Sequence, residues 1–307
     1  MSQKNKNIKY SIICACKNEE KDIHFLIKSF NKIIKKNIEL IFIDDSQDNT
    51  KKIIKSYIKK DHRIKLINGK NHGCCEARNL GIKQSKGKII IFMTADSFFS
   101  KNFLEKISKY YRKGFDAVMV NSKVYNSENI YANFIYCSHK KKLIDRPNFS
   151  PLTTQGYSVS KKAALKVGLI DKGIFKPNVC RDWTLIKKMD KKKYKKVFLD
   201  KVFCYHIAPH DFNDFYKTHF TRGQISAGYK YFFLKQLKLE IFLTTIVKFL
   251  IFLSYIFSIY FWVNNVQKIS LQNQTNQKVF LKFLFIDLLK RIALIIGEFK
   301  TTLKIKK

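Results

Sequence analysis

The feature that most constrains this chain is a rhythm in its first hundred residues. Short unbroken apolar runs alternate with longer segments in which apolar residues recur every three or four positions. YSIICAC (10–16), ELIFID (39–44), RIKLI (63–67) and KIIIFM (88–93) read as buried strands. EEKDIHFLIKSFNKII (19–34) reads as a helix with Ile23, Leu26, Ile27 and Phe30 on one face. A second helix begins near Asn49 and a third runs from about Cys74 to Gln84. Strands separated by helices are parallel neighbours, because only a crossover connection returns the chain in the same direction. The expectation is therefore an α/β fold with a mostly parallel, doubly wound sheet. A helix near Lys101 to Lys113, a strand at FDAVMV (115–120) and a strand at KKVFLDKVFCYHI (195–207) extend it. Residues 121–160 read as irregular, with three of the four prolines lying between 147 and 177.

With 307 residues, 46% of them hydrophobic, the chain has the material for a sizeable core. Its formal charge is +37, yet only seven of the sixty basic residues are Arg. Lys runs such as 140–142 and 191–193 read as solvated surface. A basic nucleic-acid-binding protein is the lesser alternative, because clustered Arg with aromatic platforms is not found, and no nucleic-acid partner is expected. The excess charge still draws the surface toward anionic lipid headgroups and phosphorylated substrates. Seven Cys without paired spacings point to reduced thiols, and the polar, basic start MSQKNKNIKY to no secretory signal.

Beyond Leu239 the composition changes. Residues 241–263 form an apolar run about long enough to cross a bilayer, with Lys248 as the only charge. A central Lys costs roughly 2.5–3.5 kcal/mol on insertion scales, which the surrounding Phe, Leu and Ile offset. The expectation is a membrane span or deeply embedded helix, with a long core helix as the alternative. VFLKFLFIDLLKRIALIIGEF (279–299) sorts its charges to one half of a helical wheel, which suits a helix in the membrane interface or packed on the protein. This divides the chain into a domain at 1–238, with halves at about 8–120 and 121–238, and a C-terminal membrane-associated helical segment at 239–307.

In an open parallel sheet, ligands bind beyond the carboxyl ends of the strands. Polar clusters follow three of them: Lys17, Asn18 and Glu19; Asp44 and Asp45; Thr94, Ala95 and Asp96. Acids converging on one edge repel a phosphate unless a cation stands between them, and a divalent metal resolves the conflict.

SIICACKNEE, IFIDDSQDNT, NHGCCEARNLGIKQSKG and IIIFMTADS, in that order over roughly residues 10–100, resemble the nucleotide-sugar half of family 2 glycosyltransferases, which have the GT-A fold. The resemblance implies that Asn18 and Glu19 lie against the nucleotide, that Asp44 and Asp45 contact base and ribose, and that Arg78 stands near the base and phosphates. The family usually carries acids at both the Thr94 and the Asp96 positions, the DXD pattern. Asp96 then stands where the direct metal ligand is expected, while Thr94 and Ala95 face the donor, and weaker metal binding is the expected cost of Thr94. The second half matches through shorter signals. TTQGYSVSKKAALKVGLID (153–171) resembles the acceptor side. CRDWTLIKKM (180–189) resembles the motif whose second acid is the catalytic base, which is Asp182 here, with Arg181 in place of the first; an N-cap is its alternative role. His206 matches a His that completes the metal shell, with His210 as competitor, and Arg222 lies near the diphosphate or faces solvent.

The implied activity is inverting transfer of a sugar from a nucleotide-diphosphate sugar to a hydroxyl of a glycan or glycolipid acceptor. A divalent metal, Mn or Mg, is the implied cofactor. The basic, apolar C-terminus points to an acceptor presented at a membrane, such as a lipid-linked precursor of a cell-surface polysaccharide, and to the cytoplasmic face of that membrane. A donor-binding protein with impaired catalysis is the alternative, prompted by Thr94 and Arg181.

Overall fold

The computed structural model describes residues 10–34, 37–145, 155–171, 182–232, 234–257, 259–272 and 278–305. In its first part the elements are β1 (Tyr10–Cys16), α1 (Ile23–Asn31), β2 (Ile38–Asp44), α2 (Thr50–Ile58), β3 (Ile64–Asn68), α3 (Cys74–Gln84) and β4 (Ile89–Met93). These follow the predicted rhythm closely. Successive side chains of a strand point to opposite faces, so a strand covered on both sides must be apolar throughout. Ile12, Cys14, Leu40, Phe42, Ile91 and Met93 pack with Ile23, Leu26, Ile27 and Phe30 of α1. Their alternates Ile13, Ile41, Ile43, Ile90 and Phe92 pack on the other side with Ala77 and Ile82 of α3.

The chain continues through β5 (Ser97–Phe99), α4 (Phe103–Arg112), β6 (Ala117–Val124), α5 (Ile130–Asp145), β7 (Ser158–Ser160), α6 (Lys161–Lys166), α7 (Asp182–Lys191) and β8 (Lys196–His206). The strand order is β3-β2-β1-β4-β7-β6-β8-β5. Pairings from β3 to β4 are parallel, whereas β4 with β7, β7 with β6, and β5 with β8 are antiparallel. The sheet is thus mixed rather than mostly parallel. After β4 the chain turns at once into β5 instead of entering a crossover helix, and only a crossover yields a parallel neighbour.

The stretch 121–160, expected to be irregular, contains the 16-residue helix α5. Its apolar residues do not form a narrow stripe. Ala132, Phe134, Ile135 and Cys137 are all buried, with Tyr131 and Tyr136 packed beside them. A helix covered on several sides leaves no period to read.

The described residues pack as two compact units. One comprises the described parts of Met1–Lys123, Ser150–Gly173 and Asn178–Ile207 and holds the sheet; the other comprises those of Val124–Phe149 and Ala208–Lys307. The second unit is helical, adding α8 (Phe212–Phe232), α9 (Lys238–Phe257), α10 (Ile259–Ser270) and α11 (Lys278–Lys304) to α5. Phe134, Phe215, Val266, Phe283 and Ile286 form its core. α8 and α11 cross at Gly223 and Gly297: a Cβ on Gly223 would meet the Leu294 carbonyl oxygen at 2.0 Å, and one on Gly297 the Phe220 carbonyl oxygen at 2.0 Å.

The apolar run 241–263 is divided between α9 and α10. Among the described residues no helix is long and apolar enough to cross a membrane, which corrects the expected span. Lys248, the charge such a span would have to bury in lipid, instead donates to the buried Glu298 of α11 at 2.8 Å.

Candidate functional site

The carboxyl ends of β1, β2 and β4 lie side by side. Cys16 is in register with Asp44, and Cys14 with Met93, so the clusters that follow these residues share one edge of the sheet. Short polar side chains lace the loops together. Asn18 takes a left-handed backbone with φ 57°; its N–H donates to Ser46 Oγ at 2.8 Å, and its Oδ1 accepts from the Gln47 N–H at 2.9 Å. The Glu19 N–H donates to Thr50 Oγ1 at 2.8 Å.

Asp44 is buried, and its Oδ1 accepts from the Ser46 N–H at 3.2 Å. Asp45 is half-buried, and its Oδ1 accepts from the Asn71 N–H at 2.9 Å. Arg78 is buried on α3, with its guanidinium 6.0 Å from the centre of the Phe92 ring. Ala95 is buried in the apolar core, so anything it offers a ligand comes from its backbone. The Thr94 hydroxyl donates to Ser97 Oγ at 3.1 Å, and Ser97 Oγ donates to the Thr94 carbonyl at 2.7 Å, which fixes the turn that carries Asp96.

Asp96 and His206 meet at this turn. The Asp96 carbonyl accepts from the Ile207 N–H at 2.8 Å, Ser97 is in register with His206, and His206 Nε2 lies 3.0 Å from Asp96 Oδ2. Burial alone would raise the Asp96 carboxyl; the charge and hydrogen bond of His206, aided by Thr94, hold it below the ordinary range. Glu19 shows the opposite effect. Burial first, then the charges of Asp96, Asp22 and Asp48, push its carboxyl up to about 8. The crowding of negative charge expected from the strand-end clusters is therefore present at this edge.

Among the described residues no group of three His, Cys, Asp or Glu side chains is arranged to hold a metal ion. Asp96 Oδ1 can meet one directly, and His206 Nε2 could join it by giving up its proton and its hydrogen bond to Asp96 Oδ2. Asp96 Oδ1 is buried and has no hydrogen-bond partner, and a carboxylate oxygen beside an imidazole nitrogen suits Mn or Mg when phosphate oxygens complete the shell. The site therefore accommodates a divalent cation only together with ligands from elsewhere.

Asp182 opens α7, and its side chain lies outside the described residues, as does Arg181. His210 is exposed, and its carbonyl accepts from Asn129 Nδ2 at 2.7 Å. Arg222 is exposed on α8, with Nη1 3.5 Å from His219 Nε2. Sequence reasoning passed over Asp48, Thr50 and Ser97, which tie the loops and the turn of this edge. Asp48 accepts from the Glu20 N–H at 3.3 Å and the Thr50 N–H at 3.0 Å. The available signal was the DNT run at the start of α2, an arrangement in which Asp and Thr bond nearby backbone.

Comparisons with known proteins agree with this architecture. Residues 11–167 match the family model described as glycosyl transferase family 2. The chain is 38% identical over 109 residues to an uncharacterized glycosyltransferase of Rickettsia bellii, covering 34% of this chain and 15% of that protein. It is 29% identical over 117 residues to glycosyltransferase GlyG of Streptococcus pneumoniae, covering 36% of this chain and 38% of that one. The matched stretch thus spans well under half of these relatives. Among solved structures, the mannosyltransferase PcManGT of Pyrobaculum calidifontis, in complex with GDP-Man and Mn2+, has a TM-score of 0.56 at 12% identity, with 94% of this chain and 72% of that one covered. S. aureus TarS has a TM-score of 0.51 at 16% identity, covering 94% of this chain and 55% of that one. At such identities these two likenesses bear on the fold alone. With the family model matching half of its length, this chain belongs to glycosyl transferase family 2 and has the GT-A fold.

Proposed function

We propose that the chain transfers a sugar from a nucleoside-diphosphate sugar to an acceptor hydroxyl, with inversion at the anomeric carbon. The observation that carries this reading is the pairing of Asp96 with His206 at the edge where the β1, β2 and β4 loops converge, with one Asp96 oxygen buried and unpartnered. Asp44 and Asp45 offer acceptors for the base and ribose, and Asn18 and Glu19, on the β1 loop between them and Asp96, would lie against the nucleotide. Ligands shared between strand ends are what this sheet architecture favours. PcManGT was solved with GDP-Man and Mn2+, which is a further reason to look for a donor and a cation of these classes.

Asp96 and His206 would hold a divalent cation, Mn or Mg. When bound, that cation supplies positive charge to the departing diphosphate. Glu19, its carboxyl pushed up by burial first and then by its acidic neighbours, is available as a hydrogen-bond donor until a cation enters. Asp182 at the start of α7 takes the proton of the acceptor hydroxyl as the hydroxyl oxygen attacks the face opposite the leaving group. Thr94 adds a hydroxyl but no charge to the cation, so metal affinity is modest.

The acceptor is a glycan or glycolipid presented at a membrane, such as a lipid-linked precursor of a surface polysaccharide. The C-terminal helices hold the enzyme at the cytoplasmic face. The supporting facts are the charge of +37 and the run of exposed apolar residues on α9.

A transfer assay tests the reading: nucleoside-diphosphate sugars with Mn or Mg, soluble and lipid-linked acceptors, and the product's anomeric configuration read by NMR. Expected is an inverted product from the unmodified protein, and none from Asp182→Asn, which still binds donor. A retained configuration, or full transfer by Asp182→Asn, overturns the mechanism. Donor binding without transfer to any acceptor favours the impaired, donor-binding alternative.

A further inference from the structure

Two helices of the helical unit carry large apolar residues on their outer faces as well as in the core. On α11 the exposed large residues are Leu281, Phe285, Ile296, Phe299 and Leu303. Leu288 and Ile292 lie half-buried between them. Steps of three, four and seven residues line these positions along one face. The opposite face buries the polar groups Asp287, Glu298, Thr301 and Thr302 among Phe283, Ile286 and Ile305. On α9 Leu239, Leu243, Val247 and Leu250 are likewise exposed, beside Thr244 and Lys248, while Ile241, Thr245 and Phe252 are buried. A helix on a water-facing surface carries polar residues on its outer face.

The inward charges are satisfied within the unit. Asp287 accepts from Lys290 Nζ at 2.5 Å, Arg291 Nε at 2.6 Å and Trp262 Nε1 at 3.3 Å. Glu298 lies 2.6 Å from Lys230 Nζ and 2.8 Å from Lys248 Nζ. Ionisable groups paired toward a bundle's interior, with apolar residues outward, are the arrangement of helices whose outer face meets hydrocarbon. The two apolar stripes adjoin, since the rings of Phe242 on α9 and Phe299 on α11 have centroids 5.2 Å apart. Exposed lysines border them: Lys238 on α9, and Lys282, Lys300 and Lys304 on α11.

We propose that the outer face of α9 and α11 docks in the plane of an anionic bilayer, the apolar stripes entering the acyl boundary and the bordering lysines resting among the headgroups. This gives a surface and a lipid class to the membrane-borne acceptor reading above and rests on it. Charge selects the occupant. Two copies of a chain with a charge of +37 repel each other at a face bordered by lysines, whereas an anionic sheet attracts it. The lack of a crossing helix among the described residues agrees with a helix pair lying in the interface rather than through it.

The test is sedimentation of the full chain with vesicles of phosphatidylcholine alone and of phosphatidylcholine mixed equally with phosphatidylglycerol. The chain is expected to bind the anionic vesicles and to bind the neutral ones weakly. The double variant Leu243→Gln/Val247→Gln, which changes exposed side chains only, is expected to lose roughly tenfold in partition while its melting temperature is unchanged; two aliphatic side chains kept from hydrocarbon support a change of that order. Phe285→Gln serves as an independent variant on α11. Equal binding to both vesicle types overturns the proposal, and so does undiminished binding by the variants. A dimer that forms without vesicles and is dispersed by the Gln pair also overturns it, assigning the face to a second copy. Nucleotide-sugar binding is measured on the same samples. Lost vesicle binding with intact donor binding sinks the docking surface alone, and the converse sinks the transfer reading alone.

Discussion

Asp96 Oδ2 and His206 Nε2 stand 3.0 Å apart although 110 positions separate the two residues in the chain. The antiparallel pairing of β5 with β8 makes this contact, because Ser97, directly after Asp96, lies in register with His206. His206 is the partner that holds the Asp96 carboxyl down against burial. In His206→Ala the carboxyl is therefore expected to titrate higher, and Mn affinity to fall by about tenfold through loss of one donor. NMR titration of the Asp96 carboxyl and calorimetry with MnCl2 check the two halves separately. An unshifted Asp96 would mean that the imidazole is not its main counter-charge.

Glu19 gives a pH prediction with a definite sign. Its carboxyl is raised from 4.5 to about 8 in the folded protein, so between those values the native state binds the extra proton and the unfolded state does not. Stability from this group therefore declines as pH rises from about 4.5 to about 8. Glu19→Gln is expected to remove that part of the decline and to gain roughly 1–3 kcal/mol at pH 8 in metal-free buffer, the group being only partly shielded from solvent. Urea unfolding at several pH values reads it, and an unchanged pH slope in the variant would refute the assignment.

The buried Asp287 holds Lys290, Arg291 and Trp262 together. Burial alone would raise its carboxyl, but the charges of Lys290 and Arg291 keep it below the ordinary carboxylate range. Its stabilising effect is full above the unfolded value and is lost as pH falls through the lower folded one. Asp287→Ala is expected to cost about 2–3 kcal/mol, because both cations keep part of their contact with water. Thermal denaturation measures this.

At the α8 and α11 crossing the backbones touch through glycine. Gly297→Ala would place a methyl against the Phe220 carbonyl oxygen, a backbone atom with no side-chain freedom to yield. The helices must move apart, at an expected cost of about 2–4 kcal/mol. A melting temperature equal to that of the unmodified protein would show that the crossing is looser than described.

The parallel half of the sheet was legible because its strands are buried on both faces and so are apolar throughout, as in Ile12 and Ile13 or Ile90 and Ile91. The antiparallel half was less so. β7 has three residues, Ser158–Ser160, and nothing in such a stretch announces that it will sit between β4 and β6. The acids at the strand ends were visible in the sequence, but the partner of Asp96 was not, since a contact across 110 positions has no local period. Only the resemblance to a family pointed at His206. The expected span at 241–263 failed because hydropathy counts residues and not partners. Lys248 finds Glu298 on another helix, and the apolar residues of α9 are divided between an outer face, as Leu243 and Val247, and a buried one, as Ile241 and Phe252.

The edge formed by the β1, β2 and β4 loops is the proposed site for a nucleoside-diphosphate sugar, with a divalent cation at Asp96. Calorimetric titration of the full chain with a panel of such donors, with and without Mn, tests it most directly. Saturable binding of at least one donor is expected, strengthened by Mn, with the Mn effect abolished by Asp96→Asn. Failure of every donor to bind, or binding that neither Mn nor Asp96→Asn alters, would contradict it.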